Sequence, residues 1–202
     1  MMVKIISIDV GIVNLGVASY DTTTKKVSVA NLSLLTPDCN KKYKFTEGIV
    51  PFLVQKLILH HVDLFSSCDI IVIEQQMKRV MLIIQHVFMS FLLACSKTVR
   101  FIRPVDVRRF YNISCNNYAK NKRASIDLAP KLLTKTQLKD VNLSRFKKKD
   151  DVCEALILAF YASKNLSKIQ TIELPEYKTP KKRRRTPPPR QRKSKKTKKT
   201  KK

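Results

Sequence analysis

Two short apolar runs, each closing on an acid, set the terms for this chain: Ile5-Ile6-Ser7-Ile8-Asp9 near the start and Ile70-Ile71-Val72-Ile73-Glu74 some sixty residues on. Both are rich in β-branched residues, and the second is a continuous apolar run of the kind found in strands buried on both faces. A sheet built on such strands needs helices to cover it. The chain supplies them: Phe45 to His61 repeats apolar residues at helical spacing, Lys78 to Ser96 is a strongly apolar helix, Ala119 to Leu133 is helical and basic, and Lys148 to Ala162 is amphipathic. Leu15–Tyr20, Lys26–Leu34 and Val99–Ile102 read as further strands, and Pro104 opens a short helix over 104–111. Three leading strands followed by alternating helices and strands predict an α/β domain with a mixed sheet over residues 1–174.

Charge separates this body from the C-terminal segment. The chain carries 41 Lys/Arg against 15 Asp/Glu, a net charge of +26. Residues 178–202 hold fifteen Lys/Arg and no acid, which leaves the body at +11, with 26 basic against 15 acidic residues. A basic body with a core large enough to fold points to a polyanion as partner. The segment 175–202 combines like charges with Pro187-Pro188-Pro189 and is expected to be disordered alone. It reads as a sequence-blind phosphate binder, as a nuclear-import signal, or as both.

Several classes are disfavoured. The five cysteines, Cys39, Cys68, Cys95, Cys115 and Cys153, are odd in number and lack CxxC spacing, so neither a disulfide framework nor a Cys-based zinc site is expected. The opening residues run straight into a strand, so no signal or transit peptide is expected. The apolar stretch Val80–Cys95 is shorter than the ~20 residues a membrane span needs, and a buried helix is expected instead.

Acids are scarce, so their positions carry information. Asp9 and Glu74 end the two apolar strands, where a carboxylate is poorly solvated unless a cation or hydrogen bonds hold it. Asp151 and Glu154 lie three apart on the last helix and share a face beside the stripe Val152, Ala155, Leu156 and Ala159. Four such carboxylates can hold two hard divalent cations, and oxygen ligands without His or Cys favour Mg²⁺ or Mn²⁺ over Zn²⁺. Two ions ~4 Å apart suit hydrolysis of a phosphodiester. Singly, each acid is an ordinary surface charge or helix cap; as a set on a nucleic-acid-binding chain, they ask for metal.

Asp9-Val10-Gly11 with Asn14-Leu15-Gly16, then Ile73-Glu74-Gln75, then Lys148-Lys149-Asp150-Asp151-Val152-Cys153-Glu154-Ala155-Leu156 resemble the RuvC-like Holliday junction resolvases of the RNase H-like superfamily. The likeness spans roughly residues 3–163 and is nearest to the resolvases of poxviruses and other large DNA viruses, and to the fungal mitochondrial enzyme. It implies an RNase H-like fold, a homodimer acting on four-way junctions and other branched DNA, and a metal site of Asp9, Glu74, Asp151 and Glu154. The last position is usually Asp, which leaves Glu154 and Asp150 as alternatives there. The resemblance also implies a basic residue at the start of the helix near 120 that reaches the site, with Lys122 the first choice and Lys120 the second. Lys78, Arg79, Arg108, Arg109, Lys120 and Arg123 read as grips on the DNA backbone. Phe110, Tyr111 and Tyr118 lie among basic residues, where they either pack or stack on unpaired bases.

The apolar helix over 80–95 has more hydrophobic surface than one core contact uses. The resemblance makes it the dimer interface, with Ile84 and Phe88 as expected contact residues. A non-catalytic DNA-packaging protein would share the charge and the tail but gives no reason for the four acids. A nuclease acting on RNA–DNA hybrids is the nearer alternative. The expected setting is inside the cell, where viral DNA replicates.

Overall fold

In the computed structural model, which describes residues 3–35, 45–113 and 117–169, the two acid-ending runs become neighbouring parallel strands. β1 (Lys4–Asp9) pairs antiparallel with β2 (Leu15–Asp21), and β2 pairs antiparallel with β3 (Val27–Leu32). On its other edge β1 lies parallel to β4 (Ile70–Glu74), which lies parallel to β5 (Thr98–Ile102). The sheet order is therefore β3-β2-β1-β4-β5, antiparallel on one side of β1 and parallel on the other. The segment expected as a disordered tail, 175–202, lies outside the described residues, as do Cys39 and Cys115.

Side chains alternate across the sheet with period two, and the two faces have separate cores. Ile6, Ile8, Ile71 and Ile73 pack with α1 (Val50–His60) and α3 (Arg79–Ala94). A short helix, α2 (Val62–Ser66), follows α1. Ile5, Ile70 and Val72 face the opposite way and pack against α7 (Lys149–Asn165). Because Ile5, Ser7 and Asp9 share one face, as do Ile70, Val72 and Glu74, both strand-ending acids fall on the α7 side. From Val152 to Ala162 that helix is buried at every residue except Glu154 and Tyr161, as expected of a helix that is apolar nearly all round and covers the centre of a sheet. No described helix is long and apolar enough to cross a membrane.

Some elements differ from the sequence expectation. The helix expected from Phe45 begins at Val50, after a single 3-10 turn over Glu47–Ile49. The basic helix is α5 (Tyr118–Leu128) and gives way to a 3-10 turn over Ala129–Leu132, where Pro130 has no N–H to continue it. Between α4 (Pro104–Phe110) and α5 on one hand and α7 on the other stands an unexpected helix, α6 (Lys135–Val141). Its signal was local: Thr134 and Gln137 exchange backbone hydrogen bonds in a capping box.

The largest correction concerns α3. Ile84 and Phe88 are completely buried against the sheet and cannot be contacts for a second chain. The outward side carries Leu82, Ile83, His86, Val87, Ser90 and Phe91, which line an open apolar trough of about 670 Å³ with Pro51. Apolarity on nearly all faces of the helix hid which side meets the sheet.

Candidate active site

The acids converge at the carboxyl ends of β1 and β4, where ligands bind in open α/β sheets. Ile8 pairs with Ile73, so Asp9 and Glu74 follow on adjacent strands. Asp150 and Asp151 occupy the first turn of α7, the end of a helix that favours negative charge. Glu154 stands one turn on. Carboxylate oxygens of Asp9, Asp151 and Glu154 lie within 4.8 Å of one another, and the charge of Glu74 acts on Asp9 from the neighbouring strand. Glu154 is in this group and Asp150 is not.

One close approach sets α7 over the sheet, and another shapes the turn between β1 and β2. Gly16 pairs with Asp9 across β1 and β2, and a Cβ on it would stand 2.1 Å from the Asp151 carbonyl oxygen. Gly11 similarly makes room for the Asn14 carbonyl at 1.9 Å from its would-be Cβ. Neither glycine has positive φ, so close approach is what these positions require. Ser7, wholly buried, reaches the Ala155 carbonyl at 2.6 Å and ties α7 to β1 one turn below Asp151.

A small amide network orients Glu74. The Gln76 Nε2 donates to Glu74 Oε2 at 3.0 Å, and the Gln76 backbone N–H donates to Gln85 Oε1 at 2.6 Å. Gln85 is 1% exposed on α3. A lone amide in an apolar helix must find a partner, and here the partner is the loop that follows β4. In the sequence, Gln85 is a polar interruption of an apolar run, and that interruption is the only local signal of its role.

Packing these carboxylates together without a cation strains their ionisation. Burial, then the charges of Glu74 and Glu154, push Asp9 well above the usual carboxylate range. Burial and Glu74 push Glu154 up to about 7, against the opposing pull of Lys122 and Arg108. Hard oxygen donors at this spacing fit divalent cations, which would remove the repulsion. No His or Cys lines the groove among the described residues.

Cations surround the acids. Lys122, on α5, hydrogen-bonds to Asp150 and, at 3.1 Å, to Asp151. Burial works against its charge, but the two carboxylates outweigh this and hold the ammonium above the ordinary lysine range. Arg108, on α4, lies 3.9 Å from Glu154. Expected as a grip on the DNA backbone, it lies in the groove beside the acid cluster. Together with Lys78 and Tyr118, these residues line a groove of about 410 Å³ containing Asp9, Glu74, Asp151 and Glu154.

The remaining expected grips do not line that groove. Arg79 is exposed and pairs with Glu47 at 2.9 Å. Arg109, Lys120 and Arg123 are exposed on α4 and α5. Of the aromatics, Tyr111 is half-buried, whereas Phe110 and Tyr118 are exposed, and Tyr118 stands 5.4 Å from the Lys122 ammonium. Cys153 is fully buried, and burial raises its thiol to about 12, which suits a core filler and not a nucleophile.

The chain is similar to known proteins over most of its length. The family described as Poxvirus A22 protein matches residues 2–166. Among solved structures, a fowlpox virus resolvase, solved with its Holliday junction substrate, matches with a TM-score of 0.56 at 19% identity, covering 83% of this chain and 100% of that one. The yeast mitochondrial Holliday junction resolvase Ydc2 matches with a TM-score of 0.54 at 15% identity, covering 77% of each chain. These likenesses show a fold shared with the two resolvases. No curated protein matches the chain by sequence.

Proposed function

The chain belongs to the poxvirus A22 protein family, and on that premise we propose that it is a Holliday junction resolvase, a Mg²⁺- or Mn²⁺-dependent endonuclease that cleaves four-way DNA junctions. The observation that carries the reading is the groove itself. Four carboxylates at strand ends and a helix start are bracketed by Lys78, Arg108 and Lys122 in a chain of net charge +26. A DNA-binding surface without chemistry has no use for that cluster, which would repel phosphate. The fowlpox protein that shares the fold is a resolvase solved on a Holliday junction.

Asp9, Glu74, Asp151 and Glu154 would hold the metal, two ions in our reading. When bound, such ions supply charge at the attacking and leaving oxygens of the phosphodiester. The chain's own groups do the remaining work. Lys122 donates hydrogen bonds to the scissile phosphate from the edge of the cluster, where developing negative charge is stabilised most. Arg108 and Lys78 hold the strand in the groove. Tyr118, exposed beside Lys122, offers a face on which an unpaired base stacks.

Resolution of a junction needs two symmetric cuts, which a two-fold dimer provides. We infer that the outward apolar side of α3 forms that dimer and that the enzyme works where viral DNA replicates. The test is incubation of the full chain with a synthetic four-way junction, a linear duplex and an RNA–DNA hybrid, each with Mg²⁺ or EDTA. Symmetric cleavage of the junction alone, abolished by EDTA, is expected. Cleavage of the hybrid in preference to the junction would replace this reading with that of a hybrid-directed nuclease.

A further inference from the structure

Of the acids at the start of α7, one has no place in the metal cluster. Asp150 lies beside Asp151 in sequence, yet it does not line the groove that Asp9, Glu74, Asp151 and Glu154 line, nor are its oxygens among the converging atoms of Asp9, Asp151 and Glu154. Adjacent residues on a helix point about 100° apart, so Asp151 turns into the groove while Asp150 turns along its edge. What Asp150 meets there is Lys122.

The ammonium of Lys122 is shared. It bonds Asp150 on one side and Asp151 Oδ1, at 3.1 Å, on the other, with the Tyr118 ring nearby. Its side chain is only 21% exposed, and those of Asp150 and Asp151 are 15% and 13% exposed. Two claims therefore compete for Asp151: the ammonium and the metal position it forms with Asp9 and Glu154. A cation resting wholly on Asp151 would oppose metal binding there. Asp150 offers the same ammonium a partner that the metal does not need.

We propose that Asp150 is a positioning residue that tethers the Lys122 ammonium at the rim of the acid cluster, leaving Asp151 free for metal and the ammonium within reach of the scissile phosphate. This rests on the metal-dependent reading above and adds to it. Asp150 neither ligates metal nor touches substrate; it acts through Lys122. Loss of its charge lets the ammonium collapse onto Asp151, and the penalty appears as weakened metal binding before any DNA is present.

The experiment is a double-mutant cycle on the DNA-free, full-length protein. Mn²⁺ binding is measured by calorimetry for the native chain, Asp150→Asn, Lys122→Met and the double variant, with thermal unfolding in EDTA to check folding. Groups in one network couple strongly enough that Asp150→Asn should weaken Mn²⁺ binding by about threefold to tenfold in the native background. In the Lys122→Met background the same change should matter by less than about 1.5-fold, since no ammonium remains to misplace. Asp150→Glu should restore most of the loss. Asp150→Ser, which keeps a small polar group in the first turn, should reproduce Asp150→Asn. The Mg²⁺ concentration for half-maximal junction cleavage should rise in parallel.

Equal losses in both backgrounds would make Asp150 a ligand or a simple field charge and overturn the proposal. No loss in either background would reduce it to a helix-terminus residue and overturn it as well. A native protein that binds Mn²⁺ and cleaves junctions while the cycle is additive sinks this inference alone. A native protein that binds no Mn²⁺ and cleaves nothing sinks the functional reading with it.

Discussion

Gly16 and Asp151 meet backbone to backbone: a Cβ added to the glycine would lie 2.1 Å from the Asp151 carbonyl oxygen and 2.6 Å from its carbon. That contact puts the N-terminal turn of α7 directly over the strand that pairs with Asp9. Gly16→Ala must therefore move either β2 or α7, and neither clash partner is a flexible side-chain end. Overpacking of this kind costs about 1–3 kcal/mol of stability. The effect on catalysis should be larger, because a ~1 Å displacement of reacting groups can cost ~100-fold in rate. We expect a folded protein with a modestly lowered melting temperature and junction cleavage down by roughly that factor. Cleavage close to the native rate in a folded Gly16→Ala protein would show that α7 is not placed by this contact.

Removing charge from the cluster separates cleavage from binding. Asp9→Asn, Glu74→Gln and Asp151→Asn should each abolish cleavage while junction affinity is kept or improved, since every substitution deletes a negative charge from a phosphate-binding groove. Gel-shift titrations in Ca²⁺ or EDTA, beside cleavage assays in Mg²⁺, measure both. A variant retaining more than ~10% of the native rate would remove that residue from the metal site.

The crowded carboxylates also link metal to stability. Glu154 ordinarily titrates near 4.5 and is raised to about 7 in the folded, metal-free protein, by burial and then by Glu74. Its protonated form is the one the fold favours. The group's contribution is therefore intact below 4.5 and is lost as pH rises from 4.5 to about 7. Divalent metal relieves that penalty only where the carboxylates are ionised. The increase in melting temperature caused by Mg²⁺ over EDTA should be small at pH 5 and clearly larger at pH 7.5. Equal shifts at both pH values would place the stabilising metal elsewhere.

On α3, two neighbouring residues should behave oppositely. Phe88 is fully buried and Val87 lines the outward trough. Phe88→Ala should cost about 3–5 kcal/mol of stability, the usual range for a core aromatic. Val87→Glu should leave the fold intact and convert a dimer into monomers by sedimentation. If the native protein is monomeric at micromolar concentration with and without junction DNA, the trough has another use.

The contrast between Val87 and Phe88 also marks where the sequence stops being readable. Strand identity, and the placement of Asp9 and Glu74 at strand ends, follow from local runs whose period of two already puts both acids on one face. Asp151 and Glu154 share a face through helical spacing alone. Long-range choices leave no such trace. Nothing in the apolar run of α3 tells which side meets the sheet, and nothing near residue 150 announces that its partner is Lys122, twenty-eight residues earlier. Arg108 reads as one more basic residue until β5 and α4 bring it to Glu154. The Thr134–Gln137 capping box marks the start of α6 in the sequence, but no apolar periodicity follows it to announce a helix.

The basic C-terminal segment carries charge enough to bind phosphate without a fold of its own. Deleting residues 178–202 removes fifteen positive charges and no acid. Every acid of the groove precedes residue 155, so the chemistry should survive. Contacts made by such a segment with phosphate are blind to sequence and shape. Truncation should therefore weaken binding to linear duplex and to junctions by similar factors, and should flatten the dependence of affinity on salt concentration. Cleavage of saturated junction should stay within about threefold of native, a change of under ~1 kcal/mol in barrier. Preference for junctions should remain with the body, where the acidic groove and its cations lie. If truncation abolishes junction preference while duplex binding is kept, the segment reads DNA shape, and selectivity does not reside in the groove.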